Sequence, residues 1–504
     1  MYVGDYLGRR CADTPDAIAL VDAGADPPLR LTYAGLNERA DRLANWLRRR
    51  GVAAGDRVAI VAHDGAVFYD LLFACAKLGA VMVPVNWRLH PTEVEGLLRR
   101  VTPKLLVFGD EAPMDAIAAH LAAVGGMPPQ ITIEGLLAGA AAAPAVPVTT
   151  ETVTEADTVV LLFTGGTTGL PKAVRITHRQ IVWNTINTHL GDIHGTDTYL
   201  NVFPLFHTGG LFAFSTPVFV LGGTVVQIRR FDPEQVLRLV AAERVTILSG
   251  VPTMFQMLTA ARSWADADLS SLRFCMSGGA PMPVPVIEQY AREKGVVFRQ
   301  GFGMTEFGPG VFSLAAADAV RKAGSIGTPN FFVDARVVDP ESGVPRAPGE
   351  VGELVLRGPS AMGGYFGDEA ATAEAFDGDG YFHTGDLARV DDEGYFFIVD
   401  RLKDMYVSGG ENVYPAEIEA ALYAMPGVAM CAVVGVPDER WGEAGAAFVV
   451  PAPGAALEAE AVLAHLRGRL ARFKVPAAVH IVDDLPVSGA GKILKDRLRE
   501  QVTA

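Results

Sequence analysis

The feature that most constrains the fold is an alternation of short buried strands and amphipathic helices early in the chain. Apolar residues recur at helical spacing from Leu36 to Leu47, with Thr32 as N-cap and Gly51 as stop. Residues 68–78 predict a second helix, and apolar runs at 56–62, 81–85 and 104–108 predict strands. Because strands separated by helices usually pair in parallel, the pattern predicts a parallel sheet covered by helices.

The pattern changes near residue 400. Strand-like segments at 353–357 and 395–399 precede this point; helices at 415–425 and 459–470 and strands at 429–434 and 478–482 are predicted after it. We therefore expect two domains, 1–400 and 401–504, the second with about 100 residues and its own core. The predicted fold class is α/β, with a large N-terminal domain of helix-covered β-sheets and a small C-terminal α+β domain. The Ala/Pro-rich stretch 138–147 predicts a surface connection.

Composition excludes several classes of protein. The net charge of −15 over 504 residues argues against sequence-independent binding to nucleic acid or anionic membrane. The most apolar segment, 212–228, is interrupted by a proline and two glycines, so we expect buried core and no membrane span. The N-terminus lacks a signal-like apolar stretch, which predicts a cytoplasmic protein. The four cysteines are far apart in the sequence, so we expect neither a disulfide nor a structural zinc site among Cys11, Cys75, Cys275 and Cys431.

The strongest chemical signal is an apolar run at 157–163 that opens into a loop of glycines and threonines. Glycines let backbone N–H groups approach phosphate, hydroxyls add donors and a lysine adds positive charge. The helix that follows begins with Thr177 and Gln180 at capping-box spacing. An ordinary flexible turn is the alternative, but the run predicts a phosphate-binding loop made of Thr164, Gly165, Gly166, Thr167, Thr168, Gly169 and Lys172.

Two common nucleotide-binding motifs are excluded. A Walker A motif needs Gly-Lys followed by Ser or Thr, whereas Lys172 follows Leu-Pro and Lys492 is followed by Ile493. No Gly-x-Gly-x-x-Gly follows an early strand, which disfavours a nicotinamide-dependent oxidoreductase.

The loop at 164–172 resembles the phosphate loop of the adenylate-forming (ANL) superfamily, which includes acyl-CoA synthetases, peptide-synthetase adenylation domains and luciferases. The family's other motifs follow in order: Phe-Pro-Leu-Phe-His (203–207), Ser-Gly-Gly-Ala-Pro (277–281), Gly-Phe-Gly-Met-Thr-Glu (301–306), Tyr-Phe-His-Thr-Gly-Asp (381–386), Asp-Arg-Leu-Lys-Asp (400–404) and Gly-Ala-Gly-Lys (489–492). The resemblance covers nearly the whole chain. It implies an acid–thiol ligase that forms an acyl-adenylate from ATP and passes the acyl group to coenzyme A.

The resemblance also implies roles in binding ATP and Mg²⁺. Glu306, next to Thr305, resembles the magnesium-binding glutamate, although alone it would be interpreted as a solvated surface charge. Asp386 resembles the aspartate that binds the ribose hydroxyls, and Arg401 adds a contact to ribose or phosphate. Small and aromatic residues would form the adenine slot and its surroundings: Gly279, Ala280, Pro281, Phe302, Gly303 and Met304.

Two further residues are candidates for the first half-reaction. Lys492 resembles the lysine that reaches between the carboxylate and the α-phosphate, where an ammonium group offsets transition-state charge. His207 resembles the gate beside the acyl carboxylate, although a lone histidine is more often structural. Without the resemblance, Lys492 would be interpreted as an exposed lysine near a chain end.

The second half-reaction requires a thiol to reach the adenylate. In the family the small C-terminal domain is mobile and rotates about a hinge, which corresponds here to Lys403. The resemblance implies that Ser408, Gly409 and Gly410 leave space for the pantetheine arm, and that Lys474 contacts a phosphate. A Gly-Gly turn between two strands is the competing interpretation.

The acyl pocket should combine segments from the middle of the chain: His207, Gly209, Gly210, Phe212, Gly301, Gly303, Gly308 and Val311. These residues are small or apolar and include no lysine or arginine to pair with a second carboxylate. We therefore expect an aromatic or a medium-to-long aliphatic monocarboxylate.

Other functions keep the same motifs. An amide synthetase or carrier-protein ligase would pass the adenylate to an amine or a carrier thiol. A non-catalytic nucleotide-binding protein would be expected to lack Lys492, Glu306 or Asp386, and all three are present. The expected assembly is a monomer or a homodimer.

Overall fold

The computed structural model describes residues 3–109, 111–164, 171–408, 411–438, 440–487 and 493–503. The chain divides into two units, one formed by 1–334 with 357–382 and the other by 335–356 with 383–504. Residues 383–400 thus group with the C-terminal segment. The division into domains 1–400 and 401–504 expected from the sequence stays a prediction.

The first unit is built from two sheets and the helices around them. Its strands are β1 Ile18–Asp22, β2 Leu29–Thr32, β3 Arg57–Val61, β4 Val81–Pro84, β5 Leu105–Phe108, β6 Gln130–Thr132, β7 Thr158–Thr164, β8 Lys172–Thr177, β9 Thr198–Asn201, β10 Thr224–Gln227, β11 Ile247–Gly250, β12 Phe274–Gly278, β13 Phe298–Met304, β14 Gly308–Leu314 and β15 Thr328–Pro329. Its helices are α1 Tyr6–Asp13, α2 Tyr33–Arg49, α3 Ala66–Leu78, α4 Pro91–Val101, α5 Ala112–Val124, α6 Ile133–Ala141, α7 His178–Leu190, α8 Ser215–Leu221, α9 Pro233–Ala242, α10 Pro252–Thr259, α11 Val284–Lys294 and α12 Glu369–Glu374, with a π-helix at Gly209–Ala213 and a 3₁₀ turn at Ala316–Asp318.

The early alternation folds as predicted. β3, β4, β5, β6 and β7 pair in parallel within a sheet of order β6-β5-β3-β4-β7-β8, and only β8 runs antiparallel to its neighbour. Thr32 caps α2 by accepting a hydrogen bond from the Gly35 amide at 3.1 Å. The second sheet has the order β15-β14-β13-β12-β11-β9-β10-β1-β2 and is parallel from β13 to β1.

One prediction about a connection holds only in part. Residues 142–147 are irregular and mostly exposed, as expected for a surface connection, but residues 138–141 form the end of α6, because alanine has a strong helix propensity even in a sequence of low complexity. The apolar segment 212–228 lies in the core as expected, in the π-helix, α8 and β10. Among the helices within the described ranges, none is both long and apolar enough to cross a membrane.

The second unit also contains two sheets. Its elements are β16 Asp334–Val338, β17 Gly352–Arg357, β18 Phe382–Val390, β19 Phe396–Arg401, β20 Tyr406–Ser408, β21 Glu411–Val413, α13 Pro415–Tyr423, β22 Val428–Asp438, β23 Gly442–Pro451, α14 Ala459–Arg467, a 3₁₀ turn at Arg472–Lys474, β24 Ala478–Ile481 and α15 Lys495–Thr503. β16–β19 form one sheet in sequence order, and β21-β20-β23-β22 form the other, with β24 parallel to β23.

The long β22–β23 hairpin is buried on both faces. Val433 and Val449 belong to a cluster with α13 and α14, whereas Val434 and Phe448 pack with Leu498 of α15. Side chains alternate between the faces of a strand, so one hairpin supplies two cores. This accounts for the continuous apolar character of the strand predicted at 429–434.

A buried ion cluster links helices of the first unit. The Lys77 side chain in α3 is 1% exposed, and its Nζ lies 2.7 Å from Asp5 Oδ1 and 3.0 Å from Asp41 Oδ1. Removing one member of a buried ion pair leaves its partner charge uncompensated, which is far more costly than losing an exposed pair.

We expect Lys77→Ala to destabilise the first unit by about 3–5 kcal/mol, because Asp41 would lose its cation in the interior. The matched control is Lys104→Ala, whose ion pair with Asp56 spans 2.8 Å but whose lysine is 44% exposed; its cost should stay below about 1 kcal/mol. Thermal unfolding of the two variants measures the difference. Equal losses would contradict a special role for the buried cluster.

Candidate functional site

The two ends of the predicted phosphate loop lie directly opposite each other. β7 and β8 are antiparallel, and Thr164 pairs with Lys172 in their register. The Lys172 ammonium lies 4.6 Å from the centre of the Tyr365 ring, within the range of a cation–π interaction. The remaining predicted loop residues lie outside the described residues: Gly165, Gly166, Thr167, Thr168 and Gly169.

The helix after the loop is capped by half of the predicted capping box. Thr177 Oγ1 accepts a hydrogen bond from the Gln180 amide N–H at 3.2 Å. The Gln180 side chain does not complete the box; it donates to the Thr305 carbonyl oxygen at 3.0 Å. α7 is thereby tied to the turn that carries Glu306, a connection that the capping pattern alone did not reveal.

Glu306 is held from two directions in the turn between β13 and β14. Its carbonyl oxygen accepts from the Met362 amide at 2.7 Å. Its carboxylate Oε1 lies 3.4 Å from the Tyr365 hydroxyl, which donates to it. Tyr365 therefore contacts both Glu306 and Lys172. Sequence reasoning missed Tyr365; its place shortly after a Gly-Gly pair at 363–364 was the available signal.

The predicted adenine segment lies at the carboxyl ends of two adjacent strands. β12 and β13 are parallel, with Gly278 opposite Gly301, so the exposed residues 279–281 follow β12 beside Phe302. The Phe302 ring packs edge-on against Phe312 at 5.8 Å. These positions are compatible with a nucleotide base between them. The carboxyl edge of parallel strands is where α/β proteins usually bind ligands.

A bulge in β13 explains why Gly303 is a glycine. The register between β13 and β14 shifts between Phe302 and Met304. A Cβ atom at Gly303 would lie 2.2 Å from the Pro309 carbonyl oxygen, so no other residue fits without a backbone shift. The glycine serves the close approach of two backbones.

Two polar residues, the buried Asn201 and the partly buried Asp64, hold the segment that carries His207. Asn201, fully buried at the end of β9, donates to the Gly210 carbonyl at 3.1 Å and accepts from the Phe203 amide at 3.1 Å. Asp64 Oδ1 accepts from the Leu205 amide at 2.8 Å, and burial raises the pKa of the Asp64 carboxyl to about 7. Neither residue was predicted from the sequence, although Asn201, a polar residue at the end of the apolar strand β9, was a usable signal.

A small cavity lies among the segments expected to form the acyl pocket. A cavity of about 10 Å³, enough for one water molecule, is lined by Ile176, Gln180, Ile181, Asn184, Thr208, Phe212, Gly308 and Pro309. Only Phe212 and Gly308 of the predicted pocket residues line it. A Cβ atom at Gly210 would lie 2.2 Å from the Pro204 carbonyl oxygen, so this glycine also serves backbone packing. Val311 is fully buried, and Gly209 opens the π-helix.

In the second unit, Asp386 and Arg401 are adjacent. They are paired residues of the antiparallel strands β18 and β19, and Arg401 Nε lies 2.5 Å from Asp386 Oδ1. Asp386 is 2% exposed and Arg401 is exposed. The structure thus brings together the two residues predicted to contact ribose.

The predicted hinge residue lies in a tight turn after β19. Lys403 is exposed, and the next residue, Asp404, is buried and paired with Arg499 of α15 at 2.6 Å. Both Asp404 and Met405 donate their amides to the Arg401 carbonyl, at 3.0 and 3.1 Å. The turn is therefore well tied to β19 and to α15 within this unit.

Of the residues predicted to contact CoA, Ser408 and Lys474 are described. Ser408 at the end of β20 pairs with Glu411 at the start of β21, and Gly409 and Gly410 are outside the described residues. Contact of these residues with CoA stays a prediction. Lys474 is ion-paired with Glu417 at 2.7 Å.

Lys492 also lies outside the described residues. The described residues on either side of it, Val487 and Ile493, pair with each other in a β-bridge. The Leu494 amide donates to the Pro486 carbonyl at 2.8 Å.

Comparison with known proteins gives two family matches. Residues 7–366 match the model of the AMP-binding enzyme family, and residues 417–492 match the model of the AMP-binding enzyme C-terminal domain. Together the matches cover most of the chain.

Characterised relatives are similar over their whole length. The chain is 45% identical over 500 residues to a feruloyl-CoA synthase of Amycolatopsis sp, covering 99% of both chains. It is 39% identical over 516 residues to the long-chain-fatty-acid–CoA ligase FadD13 of Mycobacterium tuberculosis, covering 100% of this chain and 99% of the relative. The ATP-bound crystal structure of MatB from Rhodopseudomonas palustris superposes with a TM-score of 0.89 at 34% identity, over 99% of this chain and 98% of that one. The chain therefore belongs to the AMP-binding enzyme family, within the adenylate-forming superfamily, as an acid–thiol ligase of the acyl-CoA synthetase type.

Proposed function

We propose that this enzyme activates an aromatic or a medium-to-long aliphatic monocarboxylic acid as its acyl-adenylate and transfers the acyl group to coenzyme A. The observation that carries the proposal is the meeting of Lys172 and Glu306 at Tyr365. Tyr365 thus borders both a cation at the end of the phosphate loop and a carboxylate that can hold a metal ion bound to phosphate. Adenylation of a carboxylate requires this combination of charges.

In the first half-reaction a carboxylate oxygen of the acid attacks the α-phosphorus of ATP. The new O–P bond forms as the bond to pyrophosphate breaks, so two anions must be brought together. We assign Lys492 to the carboxylate and the α-phosphate, and the loop from Thr164 to Lys172 to the leaving phosphates. His207 and Thr305 would border the reacting carboxylate.

Mg²⁺ fits this site as an ion shared with the substrate. Within the described ranges no group of three or more His, Cys, Asp or Glu residues could hold a metal, so those residues contain no all-protein cage. Mg²⁺ that is bound with nucleotide phosphates needs only one or two protein carboxylates. Glu306 would supply one, and the bound ion would offset charge on the phosphate oxygens.

The adenosine end would be bound by the Asp386–Arg401 pair and by small residues near Phe302. Asp386 would accept hydrogen bonds from the ribose hydroxyls, with Arg401 already positioned against it at 2.5 Å. Gly279, Ala280 and Pro281 would line the adenine slot, where exposed small residues leave room for a planar base against Phe302.

In the second half-reaction the CoA sulfur attacks the acyl carbon, and AMP leaves as the thiol proton is released. We assign the change between the two half-reactions to a rotation about Lys403, and the pantetheine path to Ser408, Gly409 and Gly410. Lys474 is a weaker candidate for a CoA phosphate, because Glu417 already neutralises it.

The choice of acid follows from the residues around the cavity. None of those that line it is charged, so a second carboxylate on the acid would be left without a cation in a mostly apolar site. Aromatic acids come first because the relative with 45% identity is a feruloyl-CoA synthase.

The first prediction concerns substrate range. ATP–pyrophosphate exchange should be supported by cinnamic, benzoic or fatty acids and not by short dicarboxylic acids. AMP release should then require CoA and should not respond to amines. Exchange without CoA-dependent turnover would place the enzyme among the amide or carrier-protein ligases, and absence of exchange with every acid would contradict the proposed activity.

The second prediction separates the half-reactions. Lys492→Ala should reduce ATP–pyrophosphate exchange by at least about a hundredfold, because transition-state charge loses its counterion. Thioester formation from synthetic acyl-adenylate and CoA should remain. Lys322→Ala is a control at a lysine outside the assigned site. Equal loss of both half-reactions in Lys492→Ala would contradict its assigned role.

The third prediction tests the hinge. Lys403→Pro fixes φ at the turn and restricts the preceding residue, so the rotation should be hindered. Pyrophosphate exchange should be retained while CoA-dependent thioester formation is lost, and Lys403→Ala should retain both. Full thioester formation in the proline variant would exclude a hinge at this residue.

A further inference from the structure

We propose that Tyr365 is a positioning residue for adenylation: its hydroxyl orients the Glu306 carboxylate, and its ring orients the Lys172 ammonium. The inference rests on the proposed function, because it takes Glu306 as the magnesium ligand and Lys172 as a phosphate contact. Tyr365 itself would touch neither the acid nor ATP and would act through these two side chains.

The backbone around Tyr365 is fixed to the exit strand of the phosphate loop. The Arg175 amide donates to the Gly364 carbonyl at 2.9 Å, and the Gly363 amide donates to the Arg175 carbonyl at 2.9 Å. The Phe366 amide donates to the Ala173 carbonyl at 2.8 Å. Residues 363–366 thus lie alongside β8, so the position of Tyr365 is set by the strand that carries Lys172.

The same segment is also fixed to Glu306. The Met362 amide donates to the Glu306 carbonyl at 2.7 Å, and the Tyr365 amide donates to Thr372 Oγ1 at 2.8 Å. The side chain is 9% exposed. A tyrosine whose backbone is held on both sides has little rotamer freedom, so its ring and hydroxyl are presented in fixed directions.

The chemistry of the side chain suits this role. A phenolic hydroxyl carries its proton at physiological pH, so the Tyr365 hydroxyl can donate a hydrogen bond to Glu306. A donor to a metal-ligating carboxylate fixes its orientation, and loss of such outer partners weakens metal binding. The face of the ring, 4.6 Å from the ammonium, holds Lys172 by a cation–π interaction.

Tyr365→Phe and Tyr365→Leu separate the two contacts. The phenylalanine variant loses the hydroxyl and keeps the ring, so the Mg²⁺ concentration for half-maximal pyrophosphate exchange should rise about tenfold. Calorimetric titration with α,β-methylene-ATP should show the same loss of affinity with Mg²⁺ present and no change in EDTA. The leucine variant should in addition bind the analogue about two- to fivefold more weakly in EDTA, because Lys172 loses the ring.

Tyr290→Phe is the matched control. Tyr290 is a fully buried tyrosine of the same unit whose hydroxyl donates to the Phe255 carbonyl at 3.0 Å. Its variant should keep the wild-type Mg²⁺ dependence. A Tyr365→Phe enzyme with a Mg²⁺ midpoint close to wild type, or a rise of equal size in Tyr290→Phe, would overturn the inference. If none of the acids supports pyrophosphate exchange by the wild-type enzyme, the proposed function fails. The titration with α,β-methylene-ATP still decides the role of Tyr365 in that case.

Discussion

The antiparallel pairing of β7 with β8 is the constraint on which the first unit's candidate site depends. It closes the phosphate loop by placing Thr164 opposite Lys172, and it leaves the other edge of β8 for residues 363–366. That edge brings Tyr365 to Lys172, and Met362 and Tyr365 reach Glu306 from the same segment. Hydrogen bonds of one strand therefore position groups from three distant parts of the chain.

Backbone packing explains residues that looked like parts of a pocket. The glycines at 210 and 303 lie where a Cβ atom would meet a carbonyl oxygen at 2.2 Å. Each permits a close approach of two backbone segments near a predicted functional residue, His207 in one case and Thr305 in the other. The small-residue pattern thus reports how closely the chain packs around these residues.

The second unit depends on the β22–β23 hairpin, which is covered on both faces. Its helix α15 follows the segment of Lys492 and is tied to the unit by partly buried ion pairs. Lys495 lies 2.8 Å from Glu419, and Arg499 lies 2.6 Å from Asp404 beside the predicted hinge. Burial raises the pKa of the Glu419 carboxyl despite the lysine. The chain on both sides of the functional segments is thus anchored to one core.

The sequence by itself determined the order of strands and helices, the parallel sheet and the family. These follow from periodicity and from motifs that are local in the chain, such as the run ending at Lys172 and the Thr305–Glu306 pair. Only the tertiary structure decided which side chains support them. Gln180 was expected to complete a helix cap but binds Thr305, and Asp64 and Tyr365 act through partners far away in sequence. Such contacts depend on the register of the strands and on their order within each sheet, which in the two sheets of the first unit differs from their order along the chain. Periodicity cannot specify either, because it indicates which face of an element a residue occupies but not which residue it contacts.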